Sequence, residues 1–248
     1  MERLFDTGEE RAHRTSVPAS EAPLAVRMRP RSLDELVGQE HLLAAGSSLR
    51  AALETGEPHS ALLYGPPGSG KTTLARLIAT ASRGAFEEAS AVNAGRAEVR
   101  AVIERADERR RASGEPTIFF LDEIHRFNKA QQDALLPAVE EGLVTLIGAT
   151  TENPYFEVNS ALLSRTQIYE LHPLTPDDIR LLLDRALSDA ERGIAGAPTV
   201  SDDALELLAA RSGGDARVGL SALERAVETA RAAGGSVDLD AAEDALQR

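Results

Sequence analysis

The feature that most constrains the fold of this 248-residue chain is a glycine-rich octapeptide that separates an apolar run from a helical pattern. The apolar run covers residues 60–64, and apolar residues at helical spacing continue from Leu74 to Ala81. Glycines at such a junction let backbone amides surround phosphate groups at a helix N-terminus. We therefore predict a strand, a phosphate-binding loop and a helix. The octapeptide is Gly65-Pro66-Pro67-Gly68-Ser69-Gly70-Lys71-Thr72.

Side chains at the end of this loop carry defined chemical tasks. Lys71 is expected to place its ammonium group on the β and γ oxygens of a nucleoside triphosphate, and Thr72 to offer its hydroxyl to magnesium. Thr73 completes the predicted nucleotide-binding set, Gly65 to Thr73. Lys71 and Lys129 are the only lysines among 27 basic residues, which fits a need for a compact charge at Lys71. A chance glycine turn is the alternative.

A second motif is an apolar run that ends in two acids. It covers residues 118–123 and ends in Asp122 and Glu123. In a parallel sheet the carboxyl ends of the strands share one edge, so these acids should lie beside the phosphate loop. We expect Asp122 to hold magnesium, directly or through water, and Glu123 to orient and deprotonate the attacking water. Together the motifs predict an ATPase that uses ATP and Mg²⁺, although a pair of acids can end a strand by chance.

The remaining sequence divides into an alternating part and a helical part. Strand patterns at residues 86–91, 117–121 and 143–149 alternate with helical patterns at 98–111 and 128–141. After Pro173 only helical patterns follow, beginning with the capping sequence at Thr175. We predict an α/β fold, a P-loop parallel-sheet core with a small all-helical lid. The predicted units are a disordered tail over 1–23, a core over 24–172 and a lid over 173–248.

Composition excludes several other classes of protein. The chain has no cysteine, so disulfides, zinc thiolate sites and thiol catalysis are excluded. No apolar run is long enough to span a bilayer, and we predict a cytoplasmic protein without membrane contact. The net charge of −13 would repel a polyanion, so any contact with DNA must be local. Within the tail, Leu4 and Phe5 form either a short docking motif or an incidental apolar pair.

Several longer segments identify a family. They are Arg27-Met28-Arg29-Pro30, Val37-Gly38-Gln39, Asp122-Glu123-Ile124-His125-Arg126-Phe127-Asn128-Lys129, Gln131-Gln132-Asp133-Ala134 and Gly148-Ala149-Thr150-Thr151-Glu152-Asn153-Pro154. With them, residues 24–248 resemble the N-terminal AAA+ part of the replication-associated recombination protein A family. This family is related to the Werner-helicase-interacting ATPase of eukaryotes.

The resemblance implies roles for residues outside the two motifs. Val37 and Gly38 correspond to the segment that packs on adenine. Thr151 matches the sensor of the γ-phosphate, with Thr150 as its nearest competitor. Arg165 corresponds to the arginine that reaches into the nucleotide site of a neighbouring subunit, and Arg217 to the second sensor on the lid.

The resemblance also implies partners and a cellular role. It implies an ATPase that remodels DNA or proteins at stalled or gapped replication forks, with a single-stranded-DNA-binding protein as a possible partner. Members assemble through a further C-terminal domain, so we leave open whether this chain forms homo-oligomers alone. The alternatives are a clamp-loader subunit, a branch-migration motor, which should carry a winged helix after the lid, and a slow nucleotide-gated switch.

Candidate DNA contacts remain open between two interpretations. Arg96, Arg100, Arg126 and Lys129 either line the channel of an assembled ring or belong to solvated surfaces. Glu104, four residues after Arg100, favours an ion-paired helix face for that arginine. His125 either transmits the state of the catalytic pair or packs as a structural histidine.

Overall fold

The structure is a computed structural model that describes residues 22–247. Nearly all of the tail predicted for residues 1–23 therefore lies outside the described residues, as does the motif at Leu4 and Phe5. No helix between residues 22 and 247 has both the length and the apolar character needed to cross a bilayer.

A sheet of five parallel strands forms the centre of the part of the chain before Pro173. Its order is β2-β3-β4-β1-β5, and the interior strand β3 is buried on both faces because its residues 118–121 are all apolar. The predicted α/β fold is confirmed. The strands are β1 Ala61–Tyr64, β2 Ala85–Ser90, β3 Thr117–Asp122, β4 Thr145–Thr150 and β5 Gln167–Glu170.

Two long helices and several short ones alternate with the strands or precede them. They are α1 Leu24–Arg27, α2 Glu40–Leu43, α3 Ser48–Thr55, α4 Lys71–Ser82, α5 Arg96–Ser113, α6 Lys129–Asp133, α7 Leu136–Glu140, α8 Pro154–Glu157 and α9 Ser160–Leu163. Single 3₁₀ turns are formed by Leu33–Glu35 and Ile124–Arg126.

The prediction of one continuous helix over residues 128–141 was wrong. It begins as predicted, because Asn128 and Gln131 form a reciprocal capping box. It then divides into α6 and α7 at residues 134–135. Pro137 stands in the first turn of α7 and has no backbone N–H to continue the hydrogen bonds of α6, so a break before it is favoured.

The C-terminal part contains four helices that share one apolar cluster. The first begins at Thr175, whose side chain accepts a hydrogen bond from the Asp178 amide while the Asp178 carboxylate accepts one from the Thr175 amide. The predicted start is therefore correct. The helices are α10 Pro176–Ser188, α11 Asp202–Arg211, α12 Ala216–Ala233 and α13 Leu239–Gln247.

The segment that precedes the sheet packs on these C-terminal helices. Leu24, Met28 and Val37 belong to their apolar cluster. Arg27 forms an ion pair with Glu224 of α12, with 3.3 Å between guanidinium and carboxylate. Residues from both ends of the described chain thus meet in this cluster. The domain limits at 23/24 and 172/173 stay predictions.

Candidate nucleotide-binding site

The glycine loop follows β1 and leads into α4. Gly65, Gly68 and Gly70 all have positive φ angles, of 154°, 69° and 102°. A β-carbon on Gly65 would collide with the Leu171 carbonyl oxygen, and one on Gly68 with the Asp215 carboxylate. The loop therefore requires glycine for its backbone conformation and also for its close approach to the C-terminal part.

Lys71 opens α4 and is only 7% exposed. Its Nζ donates hydrogen bonds to the carbonyl oxygens of Gly65 and Pro66, each over 2.8 Å. Burial lowers the pKa of Lys71, while the charges of Asp122 and Glu123 act in the opposite direction. The ammonium group and both predicted acids therefore share one electrostatic environment, although they come from separate elements.

The two acids follow one another at the end of β3. Asp122 accepts a hydrogen bond from the Glu123 amide over 3.1 Å. Glu123 has a φ of 56°, the left-handed conformation that side chains other than glycine rarely adopt. This conformation turns the chain out of the sheet and directly into the turn Ile124–Arg126. Such strain is often retained at functional sites.

Glu123 connects to the end of β4 through His125. The Glu123 carboxylate lies 3.3 Å from Nε2 of His125, and Nδ1 of His125 lies 2.9 Å from the Thr150 hydroxyl. Thr150 is fully buried and also accepts a hydrogen bond from the Glu152 amide. The hydroxyl of Thr151 makes no hydrogen bond within residues 22–247, which leaves that group the freer of the two to meet a ligand.

A cavity extends from the glycine loop toward the C-terminal helices. Its walls on the loop side include Ser69, Gly70, Lys71, Thr72 and Thr73. The far end is apolar, as a base-binding pocket requires. Among the predicted residues only Val37 lies at that end; sequence reasoning missed its other apolar walls, Ala25, Met28, Leu36, Leu174, Leu182, Ala216 and Leu220.

Two arginines give the cavity a positive charge. Arg217 lines it from the first turn of α12, and Arg29 lines it from the N-terminal segment. Burial lowers the pKa of Arg29, and nearby Arg76 and Arg217 lower it further. Within residues 22–247 the guanidinium of Arg29 forms no hydrogen bond or ion pair, and only its backbone amide is bonded, to the Val26 carbonyl. In a chain of net charge −13, this concentration of cations indicates an anionic ligand. Arg29 was present in a family segment but received no role from the sequence.

Comparisons with known proteins agree with this geometry. Residues 61–174 match the family described as "ATPase family associated with various cellular activities". Replication-associated recombination protein A of Escherichia coli is 51% identical over 84% of this chain and 46% of its own length. An AAA domain-containing protein of Mycobacterium tuberculosis is 54% identical over 92% of this chain and 50% of its own length. The chain thus spans about half the length of these curated relatives.

A solved structure is also similar. The RuvB Holliday junction branch migration motor of Thermotoga maritima superposes with a TM-score of 0.72 at 31% identity. The match covers 89% of this chain and 72% of that one. The chain belongs to the replication-associated recombination protein A family of AAA ATPases. The family resemblance inferred from the sequence is therefore confirmed.

Eight predicted residues of this AAA ATPase do not line the cavity: Gly38, Gly65, Pro66, Pro67, Asp122, Glu123, Thr151 and Arg165. Gly38, with a φ of 75°, packs against Leu174 and Asp178 rather than lining the cavity. Thr151 follows the end of β4. Arg165 forms a 2.5 Å ion pair with Glu140 of α7 and does not line the cavity. The roles of these residues stay predictions.

Next to Gly38, Gln39 joins the glycine loop to the chain that leads into α10. Gln39 is 2% exposed. Its Nε2 donates to the carbonyl oxygens of Ser69 and His172 over 3.3 and 2.8 Å, and its Oε1 accepts from the His172 amide over 3.1 Å. No role was assigned to it from the sequence.

The four basic candidates for DNA contact are only partly brought together. Arg96 donates a hydrogen bond to the Ala130 carbonyl over 3.2 Å, which places the start of α5 beside α6 and Lys129. The ion pair expected between Arg100 and Glu104 does not form among the described residues. Both interpretations of these residues stay open.

Proposed function

We propose that this chain binds Mg-ATP in the cavity beside the glycine loop and hydrolyses it with Glu123 as the general base. The observation that carries the proposal is the position of Lys71, which is 7% exposed and whose ammonium group bonds the carbonyl oxygens of Gly65 and Pro66 in the glycine loop. The charges of Asp122 and Glu123 act on the same group. Phosphoryl transfer needs little covalent help from the protein but requires positioned charges around the phosphates.

The residues fit a magnesium nucleotide. The carbonyl oxygens of Gly65 and Pro66 hold the Lys71 ammonium group at the loop, where phosphate oxygens would replace them as acceptors. Loop amides and Thr73 would bind phosphates, while Thr72 and Asp122 would hold Mg²⁺, which accepts a few protein oxygens together with phosphate and water. When bound, Mg²⁺ neutralises charge on the β and γ oxygens. Thr151 and Arg217 would contact the γ-phosphate.

The apolar end of the cavity would receive the adenine base. Met28 and Val37 come from the N-terminal segment, and Leu182 and Leu220 come from the C-terminal helices. A bound nucleotide would therefore contact both the C-terminal helices and the part of the chain that contains the sheet. Loss of its γ-phosphate would change how firmly the nucleotide holds these two parts together. This is a direct way to convert hydrolysis into movement.

Arg165 would act on the nucleotide of a second copy of the chain. Within one chain it is held by Glu140, the Ala161 carbonyl and the Ser164 hydroxyl, outside the cavity. An arginine supplied by a neighbour stabilises the charge of the transition state only in an assembly. Hydrolysis would then depend on homo-oligomer formation.

The names of the relatives support a role on DNA. We propose that the ATPase acts in replication-associated recombination, on DNA or protein complexes at stalled or gapped forks in the cytoplasm, near the nucleoid. Lys129 and Arg126, both exposed, are the proposed sites of DNA contact, and a single-stranded-DNA-binding protein is a proposed partner. Similarity to RuvB favours branch migration as the second candidate function.

The test is ATP turnover per subunit over a range of protein concentrations, without DNA and with gapped, forked and four-way junction DNA. We expect the rate to rise with concentration and with gapped or forked DNA. Arg165→Ala should remove the rise. Arg50→Ala is the matched control, because Arg50 is also an exposed arginine in an ion pair, with Glu54.

Mixing two inactive variants tests donation between subunits. Glu123→Gln retains Arg165, and Arg165→Ala retains Glu123. A mixture should therefore hydrolyse ATP faster than the sum of the two separate rates. Wild-type turnover by Arg165→Ala alone would contradict the proposal. A preference for four-way junctions would favour the branch-migration motor, and a low rate in every condition would favour the nucleotide switch.

A further inference from the structure

We propose that His125 and Thr150 are positioning residues that hold and release Glu123. The proposal rests on the proposed role of Glu123 as general base and adds the device that controls it. Three side chains from β3, the following turn and β4 lie in series: the Glu123 carboxylate, the His125 ring and the Thr150 hydroxyl, separated by 3.3 and 2.9 Å.

The Thr150 hydroxyl has a choice of acceptors for its single proton. It accepts the Glu152 amide hydrogen over 2.9 Å. Its own proton can go to Nδ1 of His125, at 2.9 Å, or to the Glu152 carbonyl oxygen, at 3.2 Å. Because Thr150 is 0% exposed, its hydroxyl is out of contact with bulk water.

This choice sets the tautomer of a neutral His125 ring. If Thr150 donates to Nδ1, the ring proton lies on Nε2 and can be donated to the Glu123 carboxylate. If Thr150 donates to the Glu152 carbonyl, Nδ1 must carry the proton, and the lone pair of Nε2 then faces the carboxylate. The first arrangement holds Glu123 and the second repels it. Turning one buried hydroxyl proton therefore changes the position of the general base.

The backbone of Glu123 makes this control effective. Its left-handed φ of 56° is a strained conformation, so the residue depends on its surroundings to stay in place. The His125 side chain is 11% exposed and lies between Glu123 and Thr150. At its other end the series reaches Glu152, two residues before the start of α8, whose Tyr155 and Phe156 are 68% and 84% exposed. The state of the base is thereby linked to the position of a surface segment.

The test separates positioning from folding by measuring kcat and the dissociation constant of ATP in the same variants. We expect His125→Ala to lower kcat about tenfold or more, with ATP affinity unchanged, because Glu123 is still present but misplaced. His125→Gln should recover most of the activity, since its amide N–H can take the place of Nε2–H. His59→Ala is the matched control: His59 is a half-buried histidine that bonds the Tyr169 hydroxyl at the opposite end of the sheet.

Two further variants test the series itself. Thr150→Val keeps the shape of the side chain but removes the hydroxyl, and it should lower kcat as His125→Ala does. The double variant should be no slower than the slower single variant, because both changes interrupt one path. In a Glu123→Gln background, His125→Ala should have no additional effect.

The outcomes distinguish this proposal from the proposed function. If Glu123→Gln lowers turnover but His125→Ala stays within about twofold of the wild type, the positioning role is wrong while the base assignment stands. Independent, multiplicative losses in the double variant would also overturn the series. If Glu123→Gln turns over ATP at the wild-type rate, the base assignment itself fails.

Discussion

Replacing Gln39 by alanine is expected to lower the free energy of unfolding by about 2–4 kcal/mol. The side chain is 2% exposed and makes three hydrogen bonds, two as donor and one as acceptor. Each net bond contributes about 1 kcal/mol, and the contribution of the 3.3 Å bond to Ser69 is smaller. For the third bond, the His172 amide left without a partner where water cannot reach it costs about 1–3 kcal/mol in place of about 1 kcal/mol, which gives the total of about 2–4 kcal/mol.

The assay is urea unfolding of the nucleotide-free protein, with Gln247→Ala as the control for the same change at an exposed position. Gln39→Glu separates hydrogen bonding from volume. Its carboxylate keeps one acceptor for the His172 amide but turns an oxygen toward the carbonyls of Ser69 and His172, so it should destabilise at least as strongly at neutral pH. A loss below about 1 kcal/mol in Gln39→Ala would refute the reasoning.

Other predictions concern the stability of the C-terminal helices, the loss of stability at low pH and the binding of magnesium. Thr175→Ala should lower the free energy of unfolding by about 1 kcal/mol, since it removes the hydroxyl that caps the Asp178 amide; urea unfolding would detect it, and no change would contradict the cap. A hydrogen bond from Arg192 lowers the pKa of Glu35. The ionised Glu35 carboxylate therefore contributes its full stabilisation of the fold above the ordinary pKa of 4.5, and this contribution is lost as the pH falls through the lowered pKa. The free energy of unfolding, measured over a pH series, should therefore fall less steeply at acid pH in Glu35→Gln than in the wild type. An unchanged slope would contradict the ion pair. Asp122→Asn should raise the Mg²⁺ concentration for half-maximal hydrolysis about tenfold or more, and an unchanged Mg²⁺ titration would exclude that ligand.

The parts of the fold that were predictable depend on local patterns. Residues 118–121 are apolar without interruption, which is typical of a strand buried on both faces, and the glycine loop is fixed by its spacing. Strand β5 was missed because its four residues, Gln167–Glu170, are half polar and sit at the sheet edge. The break before Pro137 was visible in the sequence and was outweighed by the helical pattern around it.

The candidate site was predictable where its charged side chains belong to short sequence motifs. Lys71, Asp122 and Glu123 follow from two motifs. The apolar end of the cavity could not be predicted from the sequence, because Met28 and Leu220 are almost two hundred residues apart in the chain and meet only through tertiary packing. The contact between His125 and Thr150 likewise joins residues 25 positions apart and carries no sequence periodicity.

The central claim is that Glu123 activates water in a site that binds ATP independently of it. The most direct measurement compares ATP binding and single-turnover hydrolysis in the wild type and in Glu123→Gln, both with Mg²⁺. We expect binding of similar affinity and hydrolysis slowed by about a hundredfold or more in Glu123→Gln. Hydrolysis at the wild-type rate by Glu123→Gln, with binding intact, would contradict the central claim.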